Sequence, residues 1–313
     1  MVSPLAAAQS PTYVDVRTPR LNEPLGLIAG YSHVVLEVQD LARARDFYAG
    51  VLGFVPDGDA EDGPRLRLGR DQHVVLAQRN EPDVRPDSGI HQAYGFSPDD
   101  LPRVLQRLAA AGVEVHGYHE DRPAERSHNR YCFDPDGNRI QLMSGRAGID
   151  HVALETHDLE WSETFFSQLL GGCIESRVGW HMHDFAAALA WGDGKDDCAP
   201  GTRRWDKRYT SIEDKSAVPR PNGQLFASFA PGVTLGVYLA TEHRQEPPRE
   251  QLSGTPRTGL RVAPGQLPRV QERLLQVRLR CLRSNPETGG PFERRGSSLL
   301  LRDPAGNFLE LGE

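Results

Sequence analysis

The stretch HVVLEVQDL, at His33–Leu41, is followed later in the chain by HVALETHDL, at His151–Leu159. Two further pairs occur in the same order: LPRVLQRL at Leu101–Leu108 with LPRVQERL at Leu267–Leu274, and DPDGN at Asp134–Asn138 with DPAGN at Asp303–Asn307. Short motifs that recur in a fixed order mark repeated structural units. The chain is therefore predicted to contain two similar halves whose equivalent positions can be compared for chemistry.

The first copy of the repeat reads as a strand followed by a helix. In HVVLEV the odd positions, including His33 and Glu37, share one face of a strand, and the apolar even positions share the other. From Leu41 onward, apolar residues occur at helical spacing as far as Gly53. We expect the apolar strand face to pack on this helix. The face that carries His33 and Glu37 must then look into a cavity or solvent.

The pattern of one strand, one helix and three strands occurs four times. The predicted fold class is α+β, with four βαβββ modules paired into two open barrels. The expected domains are residues 28–146 and 147–313, each containing two modules. Residues 1–27, rich in proline and polar residues, are predicted to form a loosely held arm. A polar insertion at about 191–224 lengthens the third module, and a lid, an interface or disorder would each explain it.

Composition narrows the class of protein. The chain has 313 residues and a net charge of −7, with no basic stripe of the kind that binds nucleic acid. It has no apolar run long enough for a membrane span, and its start does not resemble a signal peptide. The 4 cysteines lie far apart, which is typical of free thiols. We predict a cytoplasmic protein with a small-molecule partner, without nucleic-acid or membrane partners, and leave a homo-oligomer open.

These motifs resemble the vicinal oxygen chelate superfamily over residues 30–313. The resemblance is carried by the HxxLExxDL opening, the order of the elements and the DPxGN turn before a final strand. It implies an open barrel around a divalent metal, and four modules in one chain look most like the two-domain extradiol ring-cleavage dioxygenases. Single-domain relatives include glyoxalase I, fosfomycin-resistance enzymes and bleomycin-binding proteins, so the fold leaves the reaction open.

The resemblance places metal ligands on the first strands of paired modules and on the strand after DPxGN. In the first half these positions hold His33, His91 and Gln141, which we predict to bind Fe(II) or Mn(II). Gln141 stands where the superfamily usually has Glu, and an amide brings no charge, so the metal would bind weakly or be absent. If instead the first module pairs with the fourth, and the second with the third, His91 and Gln141 would join His151.

In the second half His151 and Glu310 match the ligand positions, but the fourth module has Arg257 at the remaining one. Under crosswise pairing, His33 would meet Glu310 and Arg257. Arg257 is predicted either to pair with Glu310 through charge-assisted hydrogen bonds or to bind an anionic ligand. Glu37 lies on the same strand face as His33. We predict that Glu37, His151, Arg257 and Glu310 contact the substrate.

Extradiol enzymes resembling this chain carry a tyrosine three residues before the DPxGN aspartate. Tyr131 holds that position in the first half, whereas Leu300 holds it in the second. We predict Tyr131 and the nearby His128 as catalytic residues. The leading hypothesis is a metal-dependent enzyme of extradiol type, acting on a catecholic or other vicinal-oxygen molecule. The alternatives are a glyoxalase-like isomerase or lyase, and a binding protein that sequesters a small molecule without chemistry.

Overall fold

The computed structural model describes residues 23–84, 89–116, 130–178, 224–240, 248, 250–284 and 298–313. His128 and nearly all of the predicted insertion at 191–224 lie outside these residues. Four modules follow one another in the order predicted from the repeats, and the predicted fold class is confirmed. Among the described residues, no helix has the length and apolar character required to cross a membrane.

The elements have the following bounds. The first module contains β1 (Ile28–Val38), α1 (Leu41–Arg45) with a π-helical continuation (Asp46–Val51), β2 (Val55–Ala60), β3 (Gly63–Leu68) and β4 (Gln72–Gln78). The second contains β5 (His91–Phe96), α2 (Leu101–Ala110), β6 (Arg130–Phe133) and β7 (Arg139–Ser144). The third contains β8 (Gly148–Thr156), α3 (Leu159–Glu163) with a π-helical continuation (Thr164–Leu169), β9 (Cys173–Val178), β10 (Gln224–Ala230) and β11 (Val233–Leu239). The fourth contains β12 (Arg257–Val262), α4 (Leu267–Gln276), β13 (Cys281–Arg283), β14 (Ser298–Arg302) and β15 (Phe308–Gly312).

The repeated Asp-Leu pair at the end of each opening motif starts a helix. The Asp40 carboxylate accepts hydrogen bonds from the backbone N–H groups of Ala42 (2.9 Å) and Arg43 (3.1 Å). Asp158 accepts the corresponding bond from the N–H of Trp161 at 3.1 Å. An aspartate at this position satisfies N–H groups that the first helical turn leaves without an internal partner. The motif therefore fixes the passage from strand to helix in the first and third modules.

The strands form two sheets, and each sheet combines modules from both halves of the sequence. The eight-stranded sheet has the order β13-β14-β15-β12-β1-β4-β3-β2 and joins the first and fourth modules. The seven-stranded sheet has the order β6-β7-β5-β8-β11-β10-β9 and joins the second and third. The first and second modules thus lie in different sheets, as do the third and fourth. The predicted pairing of modules in sequence order is therefore wrong, and the structure has the crosswise alternative. The predicted division between residues 146 and 147 falls inside the seven-stranded sheet.

Contacts between helices hold together the modules that are adjacent in sequence. The guanidinium of Arg107, in α2, donates to the backbone carbonyls of Val51 (2.6 Å) and Leu52 (3.3 Å) at the end of the first helix. Arg273, at the equivalent position of α4, donates to the carbonyl of Leu169 at 3.0 Å. Carbonyls at the end of a helix lack internal donors, which makes arginine a suitable partner. The second arginine of the repeated LPRVxxRL motif therefore connects modules that belong to different sheets.

The DPxGN turns connect the two sheets as well. The Asn138 side-chain amide donates to the backbone carbonyl of Glu37 at 3.1 Å, and that of Asn307 donates to the carbonyl of Glu155 at 2.7 Å. Within the first turn, the Asp134 carboxylate accepts the N–H of Asn138 at 2.8 Å. In both halves the asparagine thus bonds the end of a first strand in the other sheet. These turns have a structural role.

The last residues of the predicted N-terminal arm are packed against the third module. Leu27 is 1% exposed, and the backbone N–H of Leu25 donates to the carbonyl of Gly171 at 2.8 Å. A side chain at Gly171 would collide with Leu25, because an added Cβ would lie 2.9 Å from the Cβ of Leu25. The prediction of a loosely held arm therefore does not apply to these residues.

Candidate metal centre

Two histidines and a glutamine lie on one face of the seven-stranded sheet. His91 begins β5, His151 lies on β8 and Gln141 lies on β7. In the strand register, Ala93 of β5 is paired with His151 on one side and with Gln141 on the other. His91 precedes Ala93 by two residues and so shares its face, because side chains alternate along a strand. The three side chains therefore converge around the centre of this sheet.

The two imidazoles face each other through their Nε2 atoms, which lie 3.2 Å apart. The Nδ1 atom of His91 lies 2.8 Å from the carbonyl oxygen of Gly89, and that of His151 lies 2.8 Å from a carboxylate oxygen of Asp150. Both oxygens are acceptors, so each ring donates from Nδ1, and in the neutral ring Nε2 carries the lone pair. Two facing lone pairs repel unless a proton or a cation lies between them. This arrangement is that of metal-binding histidines oriented by outer partners.

Burial keeps His91 neutral. Loss of solvent, followed by the neighbouring charge of His151, lowers the pKa of His91 to about 3, against the opposing effect of the Gly89 carbonyl. His91 is 1% exposed. An imidazole binds a metal only when Nε2 is unprotonated, so a lowered pKa removes competition from protons near neutral pH. The environment of His91 therefore fits a ligand.

A third protein donor to an ion at this position would be the amide oxygen of Gln141. Among the described residues, no three His, Cys, Asp or Glu side chains are placed to hold an ion together. Gln141 is 4% exposed and makes a hydrogen bond with His91. An amide oxygen is an accepted ligand for hard divalent cations. The residues present therefore fit a divalent ion, held by three donors of which none is charged.

Aromatic side chains surround His91. The rings of Tyr131 and Tyr238 meet it edge to face, with centroids at 5.4 Å and 5.7 Å. Tyr131 is paired with Gln141 across β6 and β7, and the guanidinium carbon of Arg139 lies 4.4 Å from the centre of its ring. The predicted catalytic residue Tyr131 thus lies beside the histidine pair.

The equivalent place in the eight-stranded sheet holds an ion-pair network. Arg257 donates from Nε to Glu310 at 3.0 Å, from Nη2 to Asp62 at 2.6 Å and from Nη1 to the carbonyl of Gly254 at 2.9 Å. Nε2 of His33 lies 3.3 Å from the same Glu310 oxygen. The predicted contact between Arg257 and Glu310 is therefore present, and the guanidinium lies where a superfamily ligand is expected.

Glu310 is held ionised in this network. Burial raises its pKa, but the hydrogen bond and charge of His33, the charge of Arg257 and the hydroxyl of Ser298 outweigh burial and bring it to about 2. The His33 ring approaches Glu310 over Gly259, where an added Cβ would lie 2.1 Å from the ring. A glycine is therefore required beneath His33. With one cation already fixed by two carboxylates, this place is suited to an internal ion pair rather than to a metal.

The predicted site residues are thus divided between the two sheets. The predicted ligand set of His33, His91 and Gln141 is wrong as a unit, because crosswise pairing puts His33 in the eight-stranded sheet. His151, predicted to contact substrate, instead joins His91 and Gln141. Glu37 accepts hydrogen bonds from the N–H of Asp83 (2.7 Å) and the hydroxyl of Thr255, so the structure gives it local partners.

Two residues beside the histidine pair were missed in the sequence. The first is Asp150, which directly precedes His151 and contacts its Nδ1 atom. In the other sheet Ser32 directly precedes His33 in the same way and lies 3.3 Å from the Nδ1 atom of His33. A polar residue directly before the histidine of β1 or β8 could therefore have indicated, from the sequence alone, a partner for the Nδ1 atom of that histidine. Arg139 lies two positions before Gln141, so strand alternation alone places it on the same face.

The geometry defines a protein with two mixed β-sheets, one of which carries a candidate centre for a divalent ion. Residues 30–142 match the family model of the Glyoxalase/Bleomycin resistance protein/Dioxygenase superfamily. Two solved structures share the fold over most of the chain. Glyoxalase I from Zea mays has a TM-score of 0.51 and 16% identity, and the match covers 90% of this chain and 91% of that one. A putative dioxygenase from Bacillus subtilis has a TM-score of 0.53 and 12% identity, covering 91% and 85%.

Two curated relatives match part of the sequence. Glutathione transferase FosA of Serratia marcescens is 28% identical over 123 residues, which are 38% of this chain and 83% of that protein. Catechol-2,3-dioxygenase of Bacillus subtilis is 32% identical over 124 residues, which are 36% of this chain. The match spans only 40% of the catechol dioxygenase. Residues 30–142 thus resemble a superfamily whose members bind small molecules and typically use a divalent metal. For the chain as a whole, the two solved structures show a shared fold.

Proposed function

We propose that this chain is a metal-dependent enzyme that acts on a small molecule with two adjacent oxygen atoms. The proposal rests on the distance of 3.2 Å between the Nε2 atoms of His91 and His151. Each ring is oriented by an oxygen atom that accepts a hydrogen bond from Nδ1. His91, His151 and the amide oxygen of Gln141 would hold Fe(II) or Mn(II). When bound, the ion supplies Lewis acidity and orients a chelated substrate.

The protein side chains would provide the remaining functions. Tyr131, held between His91 and Arg139, would donate a hydrogen bond from its hydroxyl to a substrate oxygen. Asp150 and Gly89 fix the histidine rings, so the site is organised before a substrate enters. The aromatic rings of Tyr131 and Tyr238 would contact an apolar or aromatic substrate and exclude water from it. His128 remains a proposed participant in proton transfer from outside the described residues.

The reaction that we favour is ring cleavage of extradiol type. Tyr131 occupies the position of the tyrosine that the resemblance implies for these enzymes, and a relative that is 32% identical over 124 residues is a catechol-2,3-dioxygenase. Extradiol chemistry normally uses two histidines and a carboxylate, and Gln141 lacks that charge. A catechol that loses a proton on binding would supply the missing negative charge.

The test is an oxygen-uptake assay. The protein is first reconstituted with Fe(II) under anaerobic conditions and is then assayed in air-saturated buffer. We expect added catechol to consume oxygen and to give a ring-opened, visibly absorbing product. His91→Ala should abolish both signals, whereas His73→Ala, a change in β4 of the other sheet, should preserve them. Oxygen uptake that persists in His91→Ala would contradict the assignment.

A binding protein without chemistry is the second candidate. The neutral amide of Gln141 and the fixed cation of Arg257 each replace a group that the superfamily uses for metal. A protein of this kind would bind catechol equally well with EDTA and with Fe(II), and would not consume oxygen. Calorimetric titration under both conditions distinguishes it from the enzyme.

A further inference from the structure

Arg139 lies directly beside the candidate centre. In the parallel pairing of β5 with β7, Gln92 is opposite Ile140 and Ala93 is opposite Gln141, so the same register sets Arg139 next to His91. Adjacent strands lie about 4.8 Å apart, which brings the two side chains within reach of one bound molecule. The positive charge of Arg139 acts on His91 and contributes to lowering its pKa.

The protein donors at this centre carry no negative charge. The two imidazoles are neutral when they bind an ion, and the amide of Gln141 is neutral at any pH. Across the part of the chain that the structure describes, no carboxylate completes a three-residue donor group with the histidines. A divalent ion would therefore keep its full charge, and Arg139 adds one more. A buried concentration of positive charge favours a ligand that is itself an anion.

The orientation of Arg139 is compatible with such a ligand. Its guanidinium carbon lies 4.4 Å from the centre of the Tyr131 ring. Stacking of this kind engages the flat face of a guanidinium, whereas a carboxylate is bound by its N–H edge. Tyr131 therefore restricts the side chain without competing for the contact that recognises an anion.

We propose that Arg139 determines specificity by binding the carboxylate of substrates that chelate the ion through that same group, as 2-oxo and 2-hydroxy acids do. The inference rests on the proposed metal centre, is independent of ring cleavage, and adds these acids to the catechols as a second class of substrate. One carboxylate oxygen and the neighbouring oxygen would provide the adjacent pair, and the second carboxylate oxygen would face Arg139. The substrate then supplies the negative charge that Gln141 does not.

The test separates the metal from the anion. Wild-type protein is first loaded with Co(II), and the visible absorption of the bound ion reports the metal centre before any ligand is added. Oxalate, a carboxylate chelator, and catechol, a chelator without a carboxylate, are then titrated separately while the same absorption is followed. Arg139→Gln and Arg139→Lys are compared with Arg130→Gln. Arg130 is next to Tyr131 in β6 and so lies on the opposite face of the sheet.

We expect Arg139→Gln to bind Co(II) normally, to bind oxalate about tenfold more weakly and to bind catechol within about threefold of wild type, as loss of a charge-assisted contact predicts. Arg139→Lys should be intermediate, because it keeps the charge without the two-pronged geometry. Arg130→Gln should match wild type. Unchanged oxalate affinity in Arg139→Gln, or an equal loss of affinity for oxalate and catechol, would overturn the role of Arg139. The proposed metal centre would not be affected by either result. Failure of wild type to bind Co(II) overturns the proposed function and this inference together.

Discussion

At the scale of single residues, His91 and His151 differ in the group that fixes Nδ1. His91 is oriented by a neutral backbone carbonyl, whereas His151 is oriented by the carboxylate of Asp150 at 2.8 Å. A carboxylate at this position makes the imidazole a stronger metal ligand and restrains the orientation of its ring. We therefore assign Asp150 a positioning role at the proposed centre.

Removing the Asp150 carboxylate should weaken metal binding. We expect Asp150→Ala to lower the affinity for Co(II) by about tenfold or more, as for other outer partners of metal-binding histidines. Asp150→Asn keeps an acceptor oxygen, so its affinity for Co(II) should lie between those of Asp150→Ala and wild type. Asp99→Asn, at an exposed position near α2, is the control. Visible titration with Co(II) measures all four proteins, and equal affinities would remove Asp150 from the site.

The neutral state of His91 should make the stability of the metal-free protein depend on pH. The pKa of His91 is about 3 in the folded chain, against 6.5 for an ordinary histidine, so between these values the unfolded chain binds more protons. Stability therefore decreases as pH falls below 6.5, by about 1.4 kcal/mol per pH unit. Glu310, with a pKa of about 2 against an ordinary 4.5, adds its own loss as pH falls below 4.5.

Urea denaturation in EDTA at pH 7 and pH 5 checks this dependence. The free energy of unfolding of wild type should fall by roughly 2 kcal/mol more than that of His91→Gln, which lacks the titrating ring. Parallel behaviour of the two proteins would mean that His91 takes up a proton in the folded state. In that case its suitability as a ligand near neutral pH would be lost.

At the scale of elements, the repeated motifs are explained by caps and turns. Asp40 and Asp158 begin helices, while Asn138 and Asn307 bond the end of a first strand across the sheets. None of these residues belongs to the proposed metal centre. These aspartates and asparagines of the repeats therefore record folding requirements. Of the proposed ligands, His151 belongs to a repeated motif, whereas His91 and Gln141 lie at positions that differ between the halves.

The two turn asparagines should differ in their contribution to stability. Asn307 is buried, at 8% exposure, and donates to a carbonyl at 2.7 Å, whereas Asn138 is less buried and its bond is 3.1 Å long. We expect Asn307→Ala to cost about 2 kcal/mol and Asn138→Ala about 1 kcal/mol, because a buried carbonyl loses its donor. Urea denaturation of both variants measures the difference. A larger loss in Asn138→Ala would contradict this reading of the turns.

Strands and helices could be predicted from the sequence because alternation and helical spacing are local properties. The three strands that the repeated pattern predicted after the first helix are β2, β3 and β4. The partner of β1 could not be predicted in the same way. Its even positions are apolar and its odd positions carry His33 and Glu37, and this pattern fits an antiparallel neighbour from either the second or the fourth module. Contacts between distant segments decide the pairing, and the ligand set follows from it.

At the scale of the whole molecule, the two sheets have similar frames and different centres. The seven-stranded sheet brings together His91, His151 and Gln141, whereas the eight-stranded sheet brings His33 and Glu310 to Arg257. Crosswise pairing therefore sorts the polar residues into one site suited to a metal ion and one internal ion pair. Two exchanges account for the difference in charge between them, because Arg257 lies at the position of His91 and Glu310 lies at the position of Gln141.

Replacing Arg257 by histidine should convert the ion pair into a second metal site. We expect Arg257→His to bind two Co(II) ions per chain and Arg257→His with Glu310→Gln to bind one. Without metal the single variant should be destabilised by about 3–5 kcal/mol, because Glu310 and Asp62 lose their buried cation. Co(II) should restore much of this loss. Metal content after gel filtration and thermal denaturation with and without Co(II) provide the measurements, and a single ion in Arg257→His would refute the comparison of the two sheets.

The central claim is that metal binds in the seven-stranded sheet and not in the eight-stranded one, and Co(II) titration of two alanine variants tests it most directly. His151→Ala removes one of the paired imidazoles, whereas His33→Ala removes the histidine of the other sheet. We expect wild type and His33→Ala each to bind one ion with similar affinity, and His151→Ala to bind none. Loss of the ion in His33→Ala together with its retention in His151→Ala would contradict the account.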